Sequence, residues 1–189
     1  MRKTVVSACA VVICLGASVS ALRFSSVQAA DANAGIADKQ GNLHVPENYR
    51  THYEYLGTWS VAGSGAPGAK EMHIVFASPG AVSAYKRSGS FPDGTVLVKE
   101  VVEATTAPMT TGTVSRYDQL KGWFVMQKDS RNTHAGNALW GEGWGWSWFD
   151  ADKPKKTTST DYKKDCLTCH IPAKDTDWIY IQGYPTLKH

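Results

Sequence analysis

The strongest constraint on this chain lies near its end, where Cys166-Leu167-Thr168-Cys169-His170 reads C-x-x-C-H. Two thiols three residues apart share one face of a helical turn. This run is the attachment sequence of c-type haem: the thiols add across two vinyl groups of the porphyrin, and the imidazole ligates the iron. Other uses of paired cysteines fit less well. A zinc site wants four N or S ligands, and the only other cysteines are Cys9 and Cys14, close to the N-terminus. A redox dithiol opens the helix of a βαβ unit, and no such pattern precedes it. A structural disulfide needs no histidine beside it. The expected cofactor is therefore one haem c, held covalently by Cys166 and Cys169, with His170 on the metal.

The opposite end reads as an export signal. Met1-Arg2-Lys3 precedes an apolar run through Val5, Val6, Ala8, Val11, Val12, Ile13 and Leu15, and Val27-Gln28-Ala29-Ala30 supplies a small-residue cleavage region. Residues 1–30 are read as a cleaved signal peptide and 31–189 as a single domain destined for the periplasm. An uncleaved single-span anchor is the alternative, because Ala17 to Leu22 stays fairly apolar before Arg23. Cleavage removes Cys9 and Cys14, so every remaining cysteine belongs to C-x-x-C-H, which suits an oxidising compartment. It also removes Arg2, Lys3 and Arg23, bringing the 20 basic residues down to the number of acidic ones, 17. A neutral chain has no electrostatic footprint for nucleic acid.

Between these ends the pattern is mainly β, an α+β chain with an antiparallel sheet and a few short helices. Residues 31–45 are polar and read as a loose lead-in. Pro46 to Arg50 opens a short helix. Strands are expected over 55–61, over 71–77, where Met72, Ile74 and Phe76 alternate with His73 and Val75, and over 95–104. In the last of these, Val96, Val98, Glu100 and Val102 share one face, and Leu97, Lys99 and Val101 the other. Ser78-Pro79 is expected to cap a helix that runs through Ser88 and stops at Gly89. A further strand spans 123–127. Trp144, Trp146 and Trp148 alternate, so their indoles share a face, read as sheet core. Asp152 to Asp161 is a charged loop.

Two familiar haem architectures do not fit. The usual electron-carrier cytochrome c places its motif near the N-terminus with a methionine ligand far downstream; here residues 171–189 contain no Met. The helical-bundle cytochromes c′ do place the motif last, but the Val, Thr, Trp and Gly content is wrong for four long helices.

Several stretches together resemble the cytochrome P-460 family, which includes the β-sheet cytochromes c′ (cytochrome c′-beta). They are Asn48-Tyr49-Arg50, Tyr85 to Gly89, Asp93 to Glu100, Lys128-Asp129, Trp144 to Phe149, Cys166 to His170, Asp177-Trp178 and Tyr184-Pro185. The resemblance implies an antiparallel sheet, a homodimer, and a five-coordinate haem with an open distal face. It also implies a small diatomic or amine ligand, since members bind nitric oxide or oxidise hydroxylamine, the latter with a redox partner protein.

Lys99 matches the lysine that bonds to the porphyrin edge in P-460 members. Its place between Leu97 and Val101 is independently unusual, because burying a bare ammonium is costly; the alternatives are a pair with Glu71 or Glu103, or a chain that reaches solvent. Phe124 falls where hydroxylamine-oxidising members carry a distal carboxylate. Phenylalanine accepts no proton, so the general base is missing and the pocket resembles the apolar one of cytochrome c′-beta. The nearest carboxylates are Asp118 and Asp129. His73 and His134 read as surface or hydrogen-bonded residues rather than ligands, and Met72, Met109 and Met126 as core. The reading is a nitric oxide-binding haem protein, with a hydroxylamine or nitric oxide oxidoreductase as the alternative and a simple electron carrier as the weakest.

Overall fold

The computed structural model describes residues 36–65 and 67–188; the expected signal peptide and the first part of the lead-in lie outside them. Six strands form one antiparallel sheet in the order β1-β2-β3-β4-β6-β5. They are β1 (Glu54–Ala62), β2 (Ala69–Ala77), β3 (Val96–Met109), β4 (Gly112–Lys128), β5 (Trp140–Gly141) and β6 (Trp144–Asp150). Period-two alternation in β2, β3, β4 and β6 makes both faces apolar, so both must be covered. One face carries Val75, Leu97, Met126, Trp144 and Trp146, and packs against helix α2 (Ala81–Ser88) and the C-terminal segment around Tyr162, Cys166, Trp178 and Tyr184. The other carries Val96, Val98, Trp123, Val125 and Phe149 under Ile36, Leu43, Val45, Tyr49 and Tyr53.

That second face explains the first departure from expectation. Residues 36–45 are a packed strap rather than a loose lead-in, with Ile36 and Leu43 buried and an Ala37–Leu43 bridge closing the loop. Asp38 Oδ1 accepts the N–H groups of Gln40 and Asn42, each at 2.9 Å, which supplies the turn. The short helix α1 follows at Tyr49–His52, entered through Asn48 in left-handed backbone and lying beyond Pro46.

Two local assignments also change. Ser78 does not cap α2: Gly80 (φ 81°) occupies that position. Ser78 is buried and zips onto β3 instead, its N–H donating to the Val96 carbonyl at 2.8 Å and its Oγ accepting from Val96 N at 3.0 Å. Strands β3 and β4 outrun their hydrophobic stretches and pair out to Met109 and Gly112. Their polar outer halves are held by the backbone ladder and a Thr106–Ser115 hydroxyl contact at 2.7 Å, which no apolar period announces. Met109 therefore sits 58% exposed near the hairpin end rather than in the core.

Glu100, on the apolar face of β3, is 2% exposed. Arg50 Nε and Nη2 donate to its two oxygens at 2.8 Å each, Tyr49 OH donates at 2.5 Å, and Trp123 Nε1 donates onto Tyr49 OH at 2.8 Å. This network ties α1 to the strand that carries Lys99. Glu100→Ala is expected to destabilise the protein by about 2–3 kcal/mol, because it strands a buried hydroxyl and removes charge-assisted bonds. Arg50 adds the smaller share, since its side chain is half exposed and screened. Urea unfolding reads the change as a lower midpoint at unchanged slope.

Candidate haem site

The C-x-x-C-H run lies in a continuous helical segment that changes pitch: a π turn at Lys163–Leu167, an α turn at Thr168–His170 and a 3-10 turn at Ile171–Thr176. Asp165 Oδ2 accepts the N–H of Thr160 at 2.7 Å and of Asp161 at 3.1 Å, fixing the entry to that segment. Cys166 is buried and Cys169 exposed, and both are free thiols. Burial, with the nearby Asp165 charge second, pushes the Cys166 thiol up to about 11.

His170 donates from Nδ1 to the Trp178 carbonyl at 2.7 Å. A carbonyl only accepts, so Nδ1 carries the proton and Nε2 keeps its lone pair for a metal. Burial lowers the pKa of His170, favouring the neutral ring that ligates. The indole of Trp146 meets the imidazole edge-on at 4.9 Å between centroids.

The facing wall is the sheet. Antiparallel register brings Val75, Lys99, Phe124 and Trp148 into one row across β2, β3, β4 and β6. The next row holds Leu97, Met126 and Trp146. Lys99 Nζ sits 4.3 Å from the centroid of the Phe124 ring, and Phe124 packs on Trp148 at 4.5 Å. Burial pulls the Lys99 ammonium downward in pKa. Glu71, one partner considered for Lys99, is engaged by Lys121 at 2.7 Å and His73 at 3.3 Å instead.

Between helical segment and sheet run two cavities of about 130 and 230 Å³ that open to the surface. Both are lined by Lys99, Phe124, Met126, Cys169 and His170; one adds Cys166, Trp146, His73, Val125, Ser147 and Asp165, and the other Val75, Leu97, Ile179, Tyr180 and Tyr184. All five residues singled out in the sequence, Lys99, Phe124, Cys166, Cys169 and His170, thus line one cleft. Two free thiols and an oriented imidazole on one wall, with apolar and aromatic groups on the other, fit a haem.

Other candidates separate. His73 combines both descriptions, bonded to Glu71 yet lining the cleft. His134 stacks on Trp140 at 4.2 Å, away from the cleft-lining residues. Asp129 is buried and accepts the Thr133 N–H in a turn, while Asp118 is exposed on the outer half of β4, so neither replaces the missing carboxylate. Met126 does line the cleft, in agreement with its apolar position, and Trp144 and Trp146 are core. Two tyrosines join the lining: Tyr180, which no sequence signal marks, and Tyr184, which stands out only within the Tyr184-Pro185 stretch of the resemblance. They follow the motif in sequence, and Tyr180 OH donates to the Cys169 carbonyl at 2.6 Å, closing the tail over the helix.

The family model described as cytochrome P460 matches residues 46–181, which takes in every strand of the sheet and the C-x-x-C-H helix. No curated protein matches the chain. With its mainly β antiparallel fold and its cleft suited to a porphyrin, the chain belongs to the cytochrome P460 family and is a haem cytochrome.

Proposed function

We propose that this protein is an exported cytochrome carrying one covalent haem c, which takes up nitric oxide or a related small nitrogen species. Cys166 and Cys169 would form the thioether bonds and His170 would supply the axial nitrogen. The bound haem iron supplies the affinity for a neutral diatomic. The observation that carries this reading is Phe124: it occupies the cleft beside Lys99 on a sheet wall without a carboxylate, and the carboxylate that does line the cleft, Asp165, stands on the helical segment with Oδ2 accepting from Thr160 and Asp161. Such a wall excludes water and accepts a small neutral guest, but it takes no proton from a protonated amine. Export to the periplasm rests on the sequence of residues 1–30, and a homodimer on the resemblance alone.

A second reading has its own support. Lys99 is half-buried against an aromatic ring, with no carboxylate among its contacts in the described residues, which leaves its amine available for a bond to a porphyrin edge. An oxidoreductase acting on hydroxylamine or nitric oxide through a cross-linked haem would use it so. One spectrum separates the two. The reduced protein is expected to show an ordinary c-type spectrum and to bind nitric oxide avidly, with Phe124→Ala speeding ligand entry. A strongly red-shifted Soret band, abolished in Lys99→Arg, would support the cross-linked enzyme. Steady hydroxylamine turnover with an electron acceptor would overturn the emphasis on Phe124.

A further inference from the structure

The carbonyl that receives the His170 Nδ1 proton belongs to Trp178. It lies in a turn where Asp177 and Trp178 both hold left-handed backbone, at φ 58° and 68°. Non-glycine residues are rare there, and two in succession persist only where surrounding contacts over-determine the turn. Those contacts converge on Asp177. Its Oδ1 accepts from Lys128 Nζ at 2.5 Å, its Oδ2 from the Phe91 N–H at 2.8 Å, and its carbonyl from Trp144 Nε1 at 3.1 Å. Lys128 itself, at the last position of β4 and opposite Trp144 in register, sits 4.9 Å from the Trp144 ring centroid. The side chains of the ion pair are only 9% and 11% exposed. A buried pair of this kind is a weak source of net stability, because desolvation offsets most of the attraction. What it does supply is a fixed geometry for the turn.

We propose that Lys128 and Asp177 are positioning residues for His170, and that this inference rests on the haem reading above. The pair anchors the 177–178 turn to the sheet, and the turn aims the Trp178 carbonyl at His170 Nδ1. A well-aimed acceptor draws the shared proton away from the ring, making Nε2 a stronger donor to a metal. Neither residue touches the cleft; both act through one backbone carbonyl.

The test uses the matured holoprotein with Lys128→Met, Asp177→Asn and Lys128→Arg, read by the ferrous iron–histidine stretching frequency and by the reduction potential. If the turn aims the carbonyl, Lys128→Met and Asp177→Asn both lower the stretching frequency and both raise the potential, and Lys128→Arg returns each toward wild type. If the two charges act only through space, the first two variants shift the potential in opposite directions and leave the stretch unmoved, which overturns the proposal. Should those variants fail to fold, Trp144→Phe removes the indole bond to the Asp177 carbonyl while keeping an aromatic ring beside Lys128. A smaller shift in the same direction supports the relay, and an unmoved frequency overturns it. Wild-type protein that shows no iron–histidine band would instead defeat the open-site haem reading, a failure distinct from that of the relay.

Discussion

Protein in which both Cys166 and Cys169 are replaced by serine is expected to release all of its pigment on denaturation, while the parent protein keeps its pigment through a denaturing gel and stains for haem. The reason lies in bond type. Two thioethers survive unfolding, whereas an iron–imidazole bond and apolar contacts do not. A single replacement leaves one thioether, so partial retention with an altered pyridine haemochrome is expected. This is the largest effect the site predicts, because it changes a covalent link to a dissociable one. It also decides between the uses of the motif: a redox dithiol or plain disulfide leaves the parent protein colourless.

The second large effect is expected at Trp146. Its side chain is 1% exposed, meets His170 edge-on, packs near Tyr162 and Trp178, and donates from Nε1 to the Gly141 carbonyl at 3.0 Å. Trp146→Ala opens a cavity between sheet and helix and strands that carbonyl, so a loss of about 3–5 kcal/mol is expected. Total stability of a domain is about 5–15 kcal/mol, and the variant would sit near its threshold. Denaturant unfolding of the holoprotein measures it. Trp148→Ala is the contrast: Trp148 is half-buried against Phe124 and is expected to lose less than half as much. Equal losses at the two positions would mean that the indole row is uniform sheet core and that Trp146 has no special place beside the histidine.

The strand interiors were readable because their side chains alternate. Val96 to Val102 announces its two faces, and the observed faces divide as the alternation says, Leu97 toward the cleft and Val98 toward the strap. The outer halves of β3 and β4 were not readable, since backbone pairing holds them without an apolar stripe. The strap at 36–45 was missed for the opposite reason. Its few apolar residues, Ile36, Leu43 and Val45, are too sparse for a period, and only the bare second face of the sheet explains why they are buried.

The site divides along the same line. Cys166, Cys169 and His170 are neighbours along the chain, and the expectation of a haem there comes from order alone. Lys99 and Phe124 stood out as misfits, a cation on an apolar face and a ring where a carboxylate was expected, but nothing linear joins them. The Cα register between β3 and β4 does, and register follows from cross-strand packing, not from local preference. Tyr180, Tyr184 and the Lys128–Asp177 pair depend on the tail folding back over the sheet, a long-range contact with no spacing to give it away. The linear order of residues determined the haem-binding chemistry and the face each strand presents, because both are short-range properties of spacing. Tertiary structure alone decided which residues surround the histidine and how its ring is held, because those partners come from strands and turns far apart in the chain and meet only when both faces of the sheet are buried.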